Sequence, residues 1–183
     1  MKKQVLFIHS AGTQDFHKGS SNLLAYLKDL LGDEYNLLYP KMPNPENPEY
    51  KLWKVQLEKE FAALGGKVFL IGHSLGASVL LKYLSEKTTN CTISGLFMIA
   101  APYWGKDDDW QANAYTLSKD FATKLPQISH IFLYHSRHDE VVPSKHLEYY
   151  KRKLPKAYTH ILDDDEHYFN NGLPKLIDDI KGL

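Results

Sequence analysis

A serine between two glycines, Gly-His-Ser-Leu-Gly at residues 72–76, has the residue types that covalent catalysis needs. Ser74 follows a short apolar run, 67–72, and precedes a helical pattern over 75–86. At such a turn the serine adopts a strained backbone that lifts its hydroxyl clear of the sheet. Side chains two positions before and after it would clash. The pattern therefore predicts a nucleophile at Ser74, and the alternative is a tight turn with no chemical role.

An activated serine needs a base, and the base needs an acid that orients it. Where this turn carries the nucleophile, the acid follows the serine in the chain and the histidine follows the acid. Asp139 lies in the loop after the fifth apolar run, with two valines behind it that can anchor the loop. Glu140 and the acidic residues 107–109 compete for the role. Asp139 is the predicted acid, and its alternative role is to cap or solvate its loop.

Nine histidines are candidates for the base. His167 lies after the sixth apolar run and before the last helical pattern, where the base is expected. His160 is inside the sixth run and is predicted to be structural, and His135 and His138 precede the acid. We therefore predict that His167 accepts the serine proton on one ring nitrogen and donates to the acid from the other.

A second group of residues, His9-Ser10-Ala11-Gly12, follows the first apolar run. In hydrolases with this serine turn, one N–H group that holds the oxyanion comes from the loop preceding the first helix. Ala11 is the predicted donor there, and Leu75, at the start of a helix, is the other. His9 is predicted to pack beneath the site as a turn residue.

Six apolar runs alternate with segments of helical period. The apolar runs are 4–9, 35–39, 67–72, 93–100, 130–135 and 157–162. The first helical segment begins after Ser20 or Ser21 as its cap and ends at Gly32. The others span 49–64, 75–86, 143–153 and 173–181. This alternation predicts a three-layer α/β/α sandwich with a mostly parallel sheet of about six strands and helices on both faces. The whole chain, 1–183, is predicted to form one domain.

Two stretches interrupt the alternation. Residues 40–48 contain four prolines, which predict a stiff loop. Residues 101–127 form a long insertion that is either a surface excursion with a short helix or a cap over a pocket. In the second interpretation Trp104 and Trp110 supply apolar walls.

The charge balance bears on partners and on location. The 183 residues include 22 basic and 22 acidic side chains, and no basic stripe stands out. We therefore expect neither nucleic acid nor a membrane as a partner. The single cysteine, Cys91, cannot form an intramolecular disulfide, and the apolar run 5–8 is shorter than a secretory h-region. The expectation is a cytoplasmic protein, with a monomer as the default.

An acidic run at 163–166 lies directly before His167. Carboxylates beside a histidine can bind a divalent ion. The run has no second histidine and no regular ligand spacing, so a polar loop at the rim of the sheet is the favoured interpretation. No metal and no cofactor are therefore expected.

Four motifs in this order, HSAG, GHSLG, HDEVVP and EHYF, resemble those of the α/β-hydrolase superfamily. The chain looks most like its small serine hydrolases of the retinoblastoma-binding-protein-9 or YdeN type. The resemblance implies a triad of Ser74, Asp139 and His167 that cleaves an ester or amide. Ser10 departs from the pattern, because it stands where a glycine commonly follows this histidine.

The predicted function is that of a serine hydrolase for a small or medium ester or amide, acting through an acyl-enzyme. Tentative pocket residues are His9, Ser10, Tyr103, Trp104, Trp110 and Phe169. One alternative is a catalytically idle binding protein that uses the loop at 101–127 as its contact surface. Another is lyase or perhydrolase chemistry on the same triad, which fold and triad alone leave open.

Overall fold

Six parallel strands form one sheet in the order β2-β1-β3-β4-β5-β6 in a computed structural model that describes residues 2–163 and 166–183. The strands are β1 (Lys3–Ile8), β2 (Tyr35–Leu38), β3 (Lys67–His73), β4 (Thr92–Ile99), β5 (Ile131–Ser136) and β6 (Tyr158–Leu162). The helices are α1 (Ser21–Leu31), α2 (Tyr50–Ala63), α3 (Leu75–Glu86), α4 (Phe121–Lys124), α5 (Lys145–Lys153) and α6 (Pro174–Lys181). Short 3₁₀ turns cover Gly32–Glu34 and Asp108–Trp110.

Alternate residues of each strand pack on opposite sides of the sheet. Leu6 and Ile8 of β1 join a core with α2, α3 and α5, whereas Val5 and Phe7 join a second core with α1 and α6. Two-sided burial explains why the central strands β1, β3, β4 and β5 are nearly continuous apolar runs, whereas the edge strands β2 and β6 are partly exposed. The predicted three-layer sandwich is confirmed, and each strand begins and ends within one residue of its predicted bounds.

The strand order determines where a site can form. From β1 the chain moves outward to β2 and then returns to place β3 on the other side of β1. Connections on the two sides of such a reversal leave a crevice at the carboxyl ends of the strands, where open α/β sheets bind ligands. The loops after β1 and β3 border this crevice.

Both stretches that interrupt the alternation are tied to their neighbours. In residues 40–48 the carbonyl oxygen of Pro43 accepts from Trp53 Nε1 at 2.8 Å, and that of Pro48 accepts from Tyr115 Oη at 2.6 Å. Tyr115 belongs to the insertion 101–127, so one hydroxyl joins the two stretches. Movement of the insertion as a cap stays a prediction. Among the described helices, none combines the length and the apolar character needed to cross a membrane.

Candidate active site

The turn after β3 holds Ser74 in a backbone conformation that non-glycine residues rarely adopt. Its φ is 53° and its ψ is −122°, and its N–H donates to the carbonyl oxygen of Ile99 on β4 at 2.8 Å. A conformation of this kind costs about 1–3 kcal/mol and persists where the surrounding structure enforces it. The neighbouring strand thus fixes the serine at the point where β3 ends and α3 begins.

The two glycines of the turn permit close backbone contact. A Cβ atom on Gly72 would lie 2.4 Å from Ala77 Cα, and one on Gly76 would lie 2.4 Å from the carbonyl oxygens of both Ile8 and His9. The first turn of α3 therefore rests directly on the end of β1. This contact brings the loop after β1 beside Ser74.

Replacing Gly76 with alanine should destabilise the fold and disturb the loop after β1. The new methyl group would meet two backbone oxygens that cannot rotate away, so we expect a loss of about 1–3 kcal/mol in the free energy of unfolding. Urea unfolding measures this loss. Gly65→Ala is the control, because a Cβ atom there meets nothing within 4 Å. Equal stability of the two variants would contradict the close contact.

Ser74, His167 and Asp139 lie in one hydrogen-bonded line. His167 Nε2 is 3.1 Å from Ser74 Oγ, and His167 Nδ1 is 2.8 Å from Asp139 Oδ2. The three side chains are at most 9% exposed. They come from the loops after β3, β5 and β6, and the structure brings together the residues that chain order selected.

The loop after β5 holds Asp139 as a carboxylate. Its Oδ1 accepts from the N–H groups of Val141 at 2.9 Å and Val142 at 2.7 Å, which leaves Oδ2 for His167. Burial alone would raise the pKa of Asp139, but the bonds and charge of His167 and the Val142 N–H hold that pKa below its usual value. His135 Nε2 lies 3.4 Å from Oδ2 and donates to the carbonyl oxygen of Val142 at 2.7 Å.

The competing acids lie elsewhere. Glu140 is exposed. Asp107 contacts α5, where its Oδ1 is 3.2 Å from both Lys145 Nζ and Tyr149 Oη and its Oδ2 is 3.0 Å from His146 Nε2. The other acids of the predicted set, 108 and 109, form the 3₁₀ turn of the insertion.

The two N–H groups predicted to hold the oxyanion, those of Leu75 and Ala11, remain predictions, and their hydrogen bonding can be described. Leu75 is the first residue of α3, so its N–H has no partner within the helix. In the loop after β1 the N–H of Ser10 donates to Ser20 Oγ at 2.8 Å, and that of Gly12 donates to the Pro45 carbonyl oxygen at 2.7 Å. The N–H of Ala11 has no acceptor within the described residues.

A family model described as "Serine hydrolase" matches residues 35–168, well over half of the chain. The chain belongs to this serine hydrolase family. Its match includes the predicted nucleophile, acid and base. Among curated proteins, none is similar enough to count as a relative.

Solved structures similar to this serine hydrolase cover nearly all of it. The ydeN gene product from B. subtilis is 21% identical, with a TM-score of 0.82 over 99% of this chain and 98% of the other. A carboxylesterase from Nitrososphaera gargenis (13%, TM-score 0.71, 99% and 89%) and the 2-hydroxy-6-oxo-6-phenylhexa-2,4-dienoate hydrolase from Rhodococcus sp. strain RHA1 (12%, 0.74, 98% and 89%) share the fold. The predicted α/β-hydrolase fold and the predicted membership of a serine hydrolase family are confirmed.

The tentative pocket residues of this serine hydrolase are placed in three different surroundings. Tyr103, Trp104 and Trp110 form an aromatic cluster against α5, with the rings of Trp104 and Trp110 5.1 Å apart. Phe169 is 1% exposed in the core with α1 and α6. The prediction that it walls an open pocket is wrong, because its side chain points into that core.

His9 and Ser10 are both buried at the end of β1. The ring of His9 packs edge-on against Phe7 with centroids 5.2 Å apart, as expected for a residue beneath the site. Ser10 turns inward towards Ser20. Neither side chain faces open space.

A cavity of about 490 Å³ lies along the loop after β1. Its walls are residues 13–15 of that loop and residues 41, 42 and 44–47 of the proline-rich stretch. The hydrogen bond from Gly12 to Pro45 joins these two walls directly beside Ala11. Composition did not indicate this space, because its lining is mostly polar.

The acidic run before His167 is only partly described. Asp164 and Asp165 lie outside the described residues, and the choice between a polar loop and a metal site that rests on them is therefore untested. Asp163 Oδ1 accepts from Arg137 Nε at 2.6 Å at the exposed rim.

His73, inside the GHSLG motif, is the residue that sequence reasoning overlooked. It is fully buried, its Nδ1 lies 2.7 Å from Ser20 Oγ, and its Nε2 lies 2.8 Å from the carbonyl oxygen of His167. Burial and the neighbouring His167 lower the pKa of His73 to about 3. Burial, with a contribution from Lys28, lowers that of His9 to about 4.

Acid should therefore destabilise the fold. Below pH 6.5, the usual pKa of histidine, His73 and His9 become protonated in the unfolded chain but stay neutral in the folded protein. Because the unfolded state then binds more protons, the free energy of unfolding decreases as the pH falls towards the folded pKa values. Together the two histidines should remove about 3 kcal/mol between pH 6.5 and 5. Urea unfolding across this range tests the slope. His9→Gln should reduce the slope by about one proton, whereas the exposed control His17→Gln should not; a flat wild-type profile would contradict the prediction.

Proposed function

We propose that this protein is a carboxylesterase-like serine hydrolase that cleaves a small or medium ester, or an amide, through an acyl-enzyme. The observation that carries the proposal is the line from Asp139 Oδ2 through His167 to Ser74 Oγ, with contacts of 2.8 and 3.1 Å. Asp139 occupies Nδ1 as an acceptor, so the bare nitrogen of neutral His167 is Nε2, which faces the serine. That tautomer is the one a general base needs.

The reaction proceeds in two halves. Ser74 Oγ bonds to the substrate carbonyl carbon while its proton moves to His167 Nε2, and the negative oxygen that forms is held by the N–H groups of Leu75 and Ala11. The bond to the leaving alcohol or amine then breaks, and His167 returns the proton to that group. Water repeats the sequence on the acyl-enzyme and releases the acid. No step requires a metal or an organic cofactor.

The cavity beside Ala11 supports the substrate size. A volume of about 490 Å³ lies within the usual range of small-molecule sites, about 300–1,000 Å³. Its lining starts at Thr13, two residues after Ala11, and does not include Ser74 or His167. We propose that one side of a substrate bound at Ser74 extends along the oxyanion loop towards this cavity. We therefore expect short and medium acyl esters to be cleaved faster than long ones, which a series of p-nitrophenyl esters measures.

Labelling with a fluorophosphonate probe tests the nucleophile. One probe per protein chain should attach to Ser74, as located by peptide mass spectrometry, because only an activated serine attacks the phosphorus rapidly. Ser74→Ala should take no label. Ser78→Ala is the matched control: Ser78 is also buried at the start of α3, but its hydroxyl donates to the Pro102 carbonyl oxygen at 2.7 Å.

A folded wild-type protein that takes no label would overturn the proposal. Label on another residue, retained in Ser74→Ala, would do the same. Label at Ser74 without hydrolysis of any ester or amide would leave an activated serine but contradict the assigned reaction, and lyase or perhydrolase substrates would then be tested.

A further inference from the structure

Ser20 occupies the N-cap position of α1 but does not act as a cap. A serine at this position normally accepts a hydrogen bond from an N–H of the first helical turn. In the structure Ser20 makes no such side-chain bond, although the sequence predicted one from Ser20 or Ser21. Its hydroxyl is fully buried and turned towards the active-site loops. The helix therefore loses a local interaction, and the serine makes contacts elsewhere.

These contacts connect three loops of the candidate active site. Ser20 Oγ lies 2.8 Å from the backbone nitrogen of Ser10, 3.0 Å from Ser10 Oγ and 2.7 Å from His73 Nδ1. His73 Nε2 continues the line to the carbonyl oxygen of His167 at 2.8 Å. This chain of hydrogen bonds therefore joins Ser10, the neighbour of Ala11, to His73, the neighbour of Ser74, and ends at the backbone of His167, the predicted base.

The chemistry of the groups fixes the direction of every bond. A carbonyl oxygen only accepts, so His73 carries its proton on Nε2 and leaves Nδ1 bare. Ser20 must then donate its hydroxyl proton to Nδ1, and its oxygen accepts from both the N–H and the hydroxyl of Ser10. Burial keeps the pKa of His73 far below neutrality, so the ring stays in this uncharged form.

We propose that Ser20 and His73 are positioning residues that hold the oxyanion loop, the nucleophile turn and the backbone of His167 in their reactive arrangement. The inference rests on the proposed function. It also explains Ser10, whose hydroxyl gives Ser20 a second donor that glycine at this position lacks. Neither residue touches the reacting atoms, and both act through the groups they hold.

The proposal concerns the transition state more than substrate binding. The distance from Ser74 to the base and the place of the Ala11 N–H matter most once the oxyanion forms, and a displacement of about 1 Å can cost about 100-fold in rate. Loss of the line should therefore lower kcat and leave KM nearly unchanged.

The test compares Ser20→Ala with Ser21→Ala. Both lose a serine hydroxyl at the start of α1, but among the described residues the only hydrogen bond to Ser21 Oγ comes from the N–H of Lys18, at 2.8 Å and at the surface. Hydrolysis of p-nitrophenyl acetate is normalised to the folded, probe-reactive fraction, and binding of phenylboronic acid reports the tetrahedral adduct. Ser20→Ala should lose about 10–100-fold in kcat and a similar factor in boronate affinity, with KM within about threefold. Ser21→Ala should match the wild type.

The outcomes separate this inference from the proposed function. A folded Ser20→Ala variant with wild-type kcat, or one whose loss lies wholly in KM, overturns the inference and leaves the hydrolase assignment intact. A wild-type protein that neither takes the probe nor cleaves esters overturns the assignment itself. Nitrogen-15 spectroscopy of the wild type gives a readout that needs no variant: His73 should be neutral at pH 6 with its proton on Nε2, and a proton on Nδ1 would overturn the inference.

Discussion

Replacement of His167 by alanine is expected to lower kcat by about a million-fold, to the level of Ser74→Ala. Without Nε2 at 3.1 Å from Ser74 Oγ, nothing takes the serine proton during attack, and nothing returns it to the leaving group. KM should change much less, because the imidazole bonds to groups of the protein. Initial rates of ester hydrolysis, with the protein checked by circular dichroism, measure the loss.

The double variant Ser74→Ala/His167→Ala sharpens this prediction. The serine and the histidine act as one unit, so the double variant should be about as slow as either single variant. The matched control is His138→Ala, because His138 is exposed in the loop after β5. Independent, multiplying losses would contradict a shared proton transfer, and a His167→Ala variant within about tenfold of the wild type would exclude His167 as the base.

The sheet could be predicted from the sequence because each strand carries its own pattern. The runs that form β3 and β4 are nearly continuous in apolar residues after their first position, since both faces of the sheet are covered. The amino acids of each run are therefore enough to predict that it forms a strand. The helices follow for a similar reason: α3 begins at the predicted residue, directly after Ser74.

Ser74, Asp139 and His167 could also be predicted from the sequence, because one turn motif and the order of the acid and the base along the chain select them. Their catalytic role stays a prediction, although the geometry suits it. The backbone N–H groups that donate to Asp139 were harder to predict. The two valines after it were predicted only to anchor the loop, whereas the structure uses their N–H groups to hold one carboxylate oxygen.

The line through Ser20 and His73 could not be predicted from the sequence. Its bonds join residues 53 and 94 positions apart, and such pairs have no characteristic spacing. Ser20 or Ser21 was interpreted as the helix cap because local rules favour serine before a helix. His73 stands at a position of the G-x-S-x-G motif where the residue type is free. The signal that was present is Ser10, a departure from the family pattern whose partner only the fold reveals.

The pocket was predicted least well because aromatic residues in loops have more than one use. Phe169 and the tryptophans of the insertion have the size and polarity of pocket walls, but core packing accepts the same side chains. The cavity beside Ala11 is instead lined largely by polar side chains from two loops. Its place depends on the hydrogen bond from Gly12 to Pro45, which only the three-dimensional structure provides.

Replacement of Asp139 by asparagine is expected to lower kcat by about 10,000-fold while the fold is kept. The Val141 and Val142 N–H groups both donate to Oδ1, so they require the amide oxygen of asparagine at that position. The amide NH₂ then faces His167 Nδ1, which can only accept from it. The ring proton moves to Nε2, and His167 points a donor at Ser74 in place of the bare nitrogen that a base requires.

The asparagine variant separates charge and tautomer from shape, because the two side chains are nearly equal in size. Asp163→Asn is the matched control: it neutralises an exposed acid at the same rim of the sheet, paired with Arg137, and should leave kcat unchanged. In Asp139→Asn, nitrogen-15 spectroscopy should find the His167 proton on Nε2. Retention of kcat within about tenfold would show that His167 needs no acid, and the loop after β5 would then serve the fold alone. A slow variant with its ring proton still on Nδ1 would instead assign the loss to the missing charge, since the carboxylate also stabilises the imidazolium that forms during attack.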